Sequence, residues 1–285
     1  FFLYIPLAFV GVPAKVIGIV APLHLFAQFW YHTRLIKRMG FLEHIIVTPS
    51  HHRVHHAIND EYLDKNFGQI FIVWDKWFGT FQEELDDVPA VYGVKKAVNT
   101  WNPILINYQH MWLLIRDAWF TQNYWDKIRI WFMPTGWRPT DVSEIYPLEI
   151  IEDPYAHHKY ETTASTSMKT WMLFQLVLHN VLMLYMFNQI GNFEFIDILL
   201  YGLFLTISIF SYTSLMDGNR INLIAETLKL ALGISLLVQL NGWFGIDQFI
   251  VVGSYAFAAY LILSMLAAIY FSFIDRAEVV EIART

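Results

Sequence analysis

Apolar residues fall into two blocks with a polar stretch between them. Residues 1–31 are apolar almost throughout, but Pro6, Pro13, Lys15 and Pro22 interrupt the run. Neither half therefore reaches the roughly 20 apolar residues that a straight spanning helix requires, and the pattern predicts a membrane hairpin or re-entrant pair of helices. From Met168 onward, four apolar stretches near 171–187, 195–214, 223–244 and 249–273 are each long enough to cross a bilayer with ordinary tilt. Residues 32–167 hold most of the charge and most of the histidines, with turn signals at Gly79-Thr80, Asn102-Pro103, Pro134-Thr135-Gly136 and Asp153-Pro154. Tryptophans and tyrosines such as Trp112, Trp119, Trp125 and Trp131 suit a body resting at headgroup level, although an aromatic core accounts for any one of them equally well. The pattern predicts an all-α integral membrane protein in three parts: a hairpin over 1–31, a cytosolic or interfacial segment over 32–167, and four transmembrane helices over 168–285.

Charge orients these parts. Arg34, Lys37 and Arg38 follow the first apolar block, and Lys169, Arg220, Arg276 and Arg284 flank alternate ends of the later helices, while 188–194 and 245–248 carry no Lys or Arg. By the positive-inside rule, the 32–167 segment and the C-terminus share the cytosol. Arg220 and Lys229 lie close enough to helix ends to extend to the interface, a reading preferred to one in which they line a polar path.

Of the 285 residues, 56% are hydrophobic, 17% aromatic and 15% charged, a balance foreign to a soluble domain. The net charge of −6 and the lack of a basic run exclude a nucleic-acid surface. There is no cysteine, so disulfides, thiolate metal sites and cysteine nucleophiles are excluded, leaving imidazole, carboxylate and hydroxyl chemistry. The chain opens on Phe1 inside an apolar run, without an initiator methionine or a cleavage site, and is read as a piece of a longer protein.

The chemistry concentrates at Thr48-Pro49-Ser50-His51-His52-Arg53-Val54-His55-His56. Four histidines occupy six positions, where uniform use of the chain's 11 would put about 0.2. Pro49 and Ser50 suit a helix start, and on that helix His52, His55 and His56 are i, i+3 and i+4, so three imidazoles share a face. Such a face suits iron, zinc, copper or nickel better than it suits a solvated patch. His51 points elsewhere, and Arg53 is free to pair with a carboxylate or a lipid phosphate. His32, closing the first apolar block, is the next metal-ligand candidate. His24 and His44 read as ordinary core or surface residues. Glu43, His51, Asn59, Asp64, Asn66 and Asp75 are candidates to tether the ligands from outside, with capping and turn chemistry an alternative for Asp64 and Asn66. Gln69 to Phe78 reads as an amphipathic helix ended by Gly79. His110, His157 and His158 read as surface or core residues, and His179 as a hydrogen-bonding group within a transmembrane helix.

The segments QFWYHT (28–33), TPSHHRVHH (48–56) and DKNFGQIFIVWDKWFGTF (64–81) resemble the last histidine box and following helix of the fatty acid hydroxylase and sterol desaturase superfamily, most closely its alkylglycerol monooxygenase branch. The resemblance is strong over about residues 20–82 and architectural beyond. It implies two iron ions held by eight or more histidines from three boxes, HxxxH, HxxHH and HxxHH, on helices projecting into the cytosol. His52, His55 and His56 match the third box, and His32 matches a further histidine before it. Some relatives read HxxxH there, whereas this chain reads Gln28-x-x-x-His32, so the site either has one ligand fewer or uses an amide oxygen. The first two boxes have no counterpart and are expected upstream of Phe1, in which case the stretch alone is expected not to turn over.

The resemblance further implies O2-dependent hydroxylation of the carbon beside the ether oxygen of an alkylglycerol lipid, giving fatty aldehyde and a glycerol derivative. The electron donor is a tetrahydropterin, or a ferredoxin or cytochrome as electron-transfer partner. Two alternatives stand beside this reading. One is a sterol, carotenoid or fatty acyl hydroxylase or desaturase with the same metal centre. The other is a non-enzymatic membrane metal-binding or scaffold protein, for which the last four helices offer little beyond His179, Asn180 and Ser208.

Overall fold

The computed structural model describes residues 5–275; residues 1–4 of the predicted hairpin, and Arg276 and Arg284 of the charge argument, lie outside the described residues. The described residues are helical or irregular, with two isolated bridges, Ile46 to Phe71 and Ala57 to Tyr92, as the β-pairing. The chain forms two compact units, one of residues 1–97 with 148–158 and the other of 98–147 with 159–285, so the predicted middle segment is shared between them.

The first unit opens with α1 (Ile5–Phe9) and, beyond a turn at Gly11 (φ +79°), α2 (Ala14–Tyr31). Pro22 sits inside α2 without ending it, so the apolar run after Pro13 forms one 18-residue helix where sequence predicted interruption. α3 (Pro49–His55) carries the histidine box. The predicted helix from Gln69 begins only at α4 (Val73–Phe78). Upstream of it the backbone pairs instead with the segment before α3: Val47 N–H donates to Ile70 O (2.9 Å) and Ile72 N–H to Ile45 O (3.2 Å). Gly79, with φ +76°, ends α4 as expected, in a conformation that glycine adopts without steric cost. Tyr31, Val47 and Ile72 pack with Ala27 and Phe81, while Val54, Ala57 and Tyr62 pack with Val88 and Ala90. These two small cores fix the end of α2, the buried side of α3 and the loop beyond α4 within one body.

In the second unit, α5 (Pro103–Phe120), α6 (Tyr124–Arg129) and α7 (Thr140–Ile145) precede four long helices, α8 (Thr166–Gln189), α9 (Phe195–Met216), α10 (Ile221–Gln239) and α11 (Gly253–Tyr270). Four helices, bounded by Thr166–Asn192, Phe195–Met216, Ile221–Gln239 and Gly253–Asp275, are long and apolar enough to cross a membrane, which makes this an all-helical integral membrane protein. α10 stops at Gln239 although the apolar run continues to Phe244. Asn241, Gly242, Phe244 and Gly245 all have positive φ and turn the chain back. Trp243 and Phe244 thereby enter the core from a loop, with the Trp243 ring 3.9 Å from that of Phe257 and 4.8 Å from that of Phe204.

One expectation for these helices fails. Lys229 does not extend to the interface: its side chain is 1% exposed, and its Nζ lies 2.5 Å from Glu226 Oε1 and 2.6 Å from Ser264 Oγ. Ser211 donates to the other Glu226 oxygen (2.5 Å), and Gln175 joins Ser264 (3.0 Å) and Tyr260 (2.8 Å). This cluster draws on α8, α9, α10 and α11, and so the helices hold far more polar chemistry than His179, Asn180 and Ser208. Burying an ion pair in apolar surroundings is tolerable because both partners are paired and further hydrogen-bonded.

Candidate metal centre

Thr48 precedes α3 in extended conformation, its hydroxyl 3.3 Å from His51 Nδ1, and Pro49 takes the first helical position, where an N–H has no partner in any case. His51 is thereby a buried capping group rather than a surface one. Burial pushes its pKa down, opposed in part by Glu43. One turn of helix then brings His52 and His56 to the same side, His56 keeping helical dihedrals as the C-cap residue. His32 arrives from the end of α2, where it is the C-cap residue.

The three rings meet through their Nε2 atoms: His32 to His52 is 3.0 Å, His32 to His56 is 3.1 Å and His52 to His56 is 3.1 Å. His32 Nδ1 lies 2.7 Å from the Gln28 carbonyl oxygen. A carbonyl only accepts, so Nδ1 carries the ring proton and Nε2 presents a lone pair to its two neighbours. A triangle of imidazole nitrogens cannot be satisfied by N–H···N bonds, because each ring N–H points at one acceptor. A cation facing three lone pairs satisfies all of them, since nitrogen ligands at about 2.1 Å and roughly right angles stand about 3 Å apart. The residues present therefore fit a metal ion held by His32, His52 and His56.

The electrostatics agree. The His52 pKa falls to about 3, through burial first and the neighbouring His56, His32 and His55 after it. Burial, then His55 and His32, also lowers that of His56. Both rings are neutral near pH 7, the state in which imidazole binds a cation.

His55 stands apart from the triangle. Its Nδ1 is 3.4 Å from the Lys65 carbonyl oxygen, and its ring centroid is 5.7 Å from that of His52 and 5.9 Å from that of Phe67. Gln28 turns its amide nitrogen to His24 Nε2 (3.1 Å), so its contact with His32 runs through the backbone carbonyl. His44, His110, His157 and His158 are exposed and outside the cluster.

The groups expected to tether the ligands hold the backbone that carries them. Glu43 Oε1 accepts from Met39 N–H (2.9 Å), Ser50 Oγ (3.1 Å) and Thr48 Oγ1 (3.3 Å), fixing the start of α3. Asn66 donates to the His51 and Gln82 carbonyls, and Asp75 accepts from Phe67 N–H, Gly68 N–H and Thr80 Oγ1 at 2.6–2.7 Å. Asn59 accepts from Val91 N–H (2.8 Å) and donates to Tyr155 Oη (2.6 Å), and Asp64 occupies a turn at φ +56°. Among the described residues, no hydrogen bond joins Glu43, His51, Asn59, Asp64, Asn66 or Asp75 to the rings of His32, His52 or His56.

Sequence left the partner of Arg53 open, and the structure supplies it. Nε and Nη2 grip Glu84 at 2.7 and 2.5 Å, while Nη1 donates to the Thr33 and Ile36 carbonyls, both at 2.9 Å. This fork ties α3 to the segment just after His32. A cavity of about 590 Å³ opens on the cluster, its wall formed by Tyr31, His32, Arg34, His52, His56 and Tyr92 among others. Another of about 720 Å³, lined by Phe26, Phe29, Trp30, Ile46 and neighbouring residues, shares His32. Cavities of this size take a small molecule or part of a lipid. In the sequence Arg34 reads only as an orienting charge, and Tyr92 and Gly93 are not singled out because a loop tyrosine and glycine carry no spacing signal.

A set of imidazoles on a short helix and at the foot of an apolar helix, in a membrane protein, is a candidate histidine metal site, and residues 1–80 match the fatty acid hydroxylase family model. Over those residues the chain is similar to that family. It is 32% identical over 226 residues to an alkylglycerol monooxygenase of Homo sapiens, covering 79% of this chain and 50% of the relative. Against the Xenopus tropicalis alkylglycerol monooxygenase it is 33% identical over 185 residues (65% and 41%), and against that of Caenorhabditis elegans 39% over 121 residues (39% and 24%). The chain thus spans about half the length of the curated relatives it matches, or less. No solved structure matches it.

Proposed function

We propose that this chain forms part of an O2-dependent membrane monooxygenase that hydroxylates the carbon beside the ether oxygen of an alkylglycerol lipid. The observation that carries the proposal is the triangle of His32, His52 and His56 Nε2 atoms opening on a cavity, in a chain whose relatives are alkylglycerol monooxygenases. The reaction consumes O2, two electrons and two protons, inserts one oxygen atom into the C–H bond and releases the other as water. The resulting hemiacetal breaks its C–O bond to give fatty aldehyde and the glycerol hydroxyl.

In this reading the bound group is a pair of iron ions, which supplies O2 activation and C–H oxidation. His32, His52 and His56 would hold iron through Nε2, and His55, its Nδ1 turned to the Lys65 carbonyl, would keep its own Nε2 available as a further ligand. The Gln28 carbonyl keeps His32 in the tautomer that leaves Nε2 free. Phe26, Phe29 and Trp30 seat the alkyl chain and exclude water. The basic residues Arg34, Lys37 and Arg38 after the first apolar block support a cytosolic histidine region, where a tetrahydropterin, ferredoxin or cytochrome delivers electrons.

The test is iron analysis and product detection on the full-length protein and its His52→Ala variant. Near-stoichiometric iron and fatty aldehyde from an alkylglycerol, both lost in the variant, are expected. Zinc without iron, or oxidation of a sterol or fatty acyl chain in place of the ether lipid, overturns the reading.

A further inference from the structure

Two arginines line the cavity at the imidazole triangle, Arg34 and Arg53, and Arg38 follows close in sequence. Their donors are used very differently. Arg53 spends its fork on Glu84 and the Thr33 and Ile36 carbonyls. Arg38 pairs with Glu83 (3.1 Å) and Asp86 (3.6 Å) and donates to the Glu84 carbonyl (3.0 Å). Among the described residues no carboxylate pairs with Arg34. Its guanidinium carbon lies over the Tyr92 ring, 4.8 Å from the centroid. Stacking occupies the face of a guanidinium and leaves its edge donors free, the arrangement that suits two-point recognition of an oxyanion.

The stacking platform is also fixed relative to the metal ligands. Tyr92 bridges to Ala57, Ile58 N–H donates to Val91 O (2.9 Å) and Gly93 N–H donates to His56 O (3.2 Å). Arg34 itself is two residues from His32. Thus Arg34 and the imidazole triangle lie on walls of one cavity of about 590 Å³. Arg34 follows shortly after the apolar helix α2, while the aromatic residues of α2 line the neighbouring cavity that shares His32.

We propose that Arg34, stacked on Tyr92, is a positioning residue that binds the phosphate of a phosphate-bearing ether lipid and so sets the ether carbon before the imidazole triangle. The proposal rests on the oxygenase reading and adds to it a named headgroup contact. In a 1-O-alkylglycerol 3-phosphate only the glycerol backbone separates the ether oxygen from the phosphate, so one anchored end fixes the other. A neutral alkylglycerol has no charge for Arg34 to hold and is seated by its alkyl chain.

The experiment compares 1-O-alkylglycerol with 1-O-alkylglycerol 3-phosphate on the iron-loaded full-length protein and its Arg34→Ala, Arg34→Lys, Tyr92→Leu and Tyr92→Phe variants. KM, kcat and iron content are measured, and equilibrium dialysis of both lipids runs alongside. Arg34→Ala is expected to raise KM and weaken binding for the phosphate lipid by about tenfold or more and to lower its kcat, with iron content and the neutral lipid's KM and kcat unchanged. Arg34→Lys recovers part of the loss because it restores the charge without the fork, Tyr92→Leu shifts KM the same way, and Tyr92→Phe behaves as wild type. Equal effects on both lipids, or none on either, overturn the assignment. If the wild-type protein oxidises neither lipid, the oxygenase reading fails, and dialysis still decides whether Arg34 discriminates by the phosphate.

Discussion

The Nε2 atoms of His32 and His56 lie 3.1 Å apart although 24 residues separate them in the chain. The contact depends on the Arg53 fork, which pins the segment after His32 to α3, and on the Gln28 carbonyl, which sets the His32 tautomer. His32 lies outside the HxxHH spacing yet is placed as closely as the residues within it. His32→Ala and His56→Ala are therefore each expected to lower metal content to a similar degree, because losing either removes one of three nitrogens about the same point. Metal analysis of the purified variants decides, and full metal content in His32→Ala would remove it from the ligand set.

The metal-free protein should lose stability in acid for a specific reason. The His52 pKa falls from its ordinary value near 6.5 to about 3 in the folded chain, chiefly through burial, and that of His56 moves the same way. Between those limits the unfolded chain binds protons that the folded chain refuses, so stability rises with pH through the window and is fully present above about 6.5. Thermal unfolding of the metal-free protein is expected to weaken steadily from pH 7 to pH 4, with a shallower slope in His52→Asn. A flat profile in the wild-type protein over that range would contradict the burial of the ring.

Gly68 is predicted to admit no side chain. A Cβ there would stand 2.6 Å from the Phe71 carbonyl oxygen and 2.7 Å from Asp75 Oδ2. The first neighbour is backbone held near the Ile46–Phe71 bridge, and the second is the carboxylate that receives the Gly68 N–H itself at 2.7 Å. Gly68→Ala must displace Asp75 and loosen its bonds to Phe67 and Thr80, at a cost of about 1–3 kcal/mol. An unchanged thermal midpoint in the variant would show that the loop yields without loss.

How much of this was legible in sequence varies with the physics of each residue. The box helix and the four spans were readable because helical spacing and apolar length are local properties. The 69–72 stretch was misread as helix because its apolar positions fit both periods, and the choice was made by pairing with Ile45 to Val47, a non-local event. The overlong third span failed similarly, since Trp243 and Phe244 are apolar whether they sit in a helix or plug a core from a loop. Of the site, His52 and His56 followed from spacing, whereas the Arg53–Glu84 pair joins residues 31 positions apart and left no local mark.

The buried pair of Lys229 and Glu226 makes the last prediction. The two lie one helical turn apart on α10, are 1% and 3% exposed, and are further bonded to Ser264 and Ser211 from the helices on either side. Removing one partner leaves the other charge without compensation in apolar surroundings, so Lys229→Met and Glu226→Leu should each destabilise the protein by about 3–5 kcal/mol. Removing both lifts the desolvation penalty along with the attraction. The double variant is therefore expected to recover most of the loss, because Tyr260 and Gln175 remain hydrogen-bonded to each other at 2.8 Å without Lys229. A double-mutant cycle on thermal unfolding in detergent measures the coupling directly. If Lys229→Met alone is as stable as the wild-type protein, the ion pair is not what the four helices pack around. If the double variant falls by the sum of the singles, each residue acts through its serine partner and not through the other.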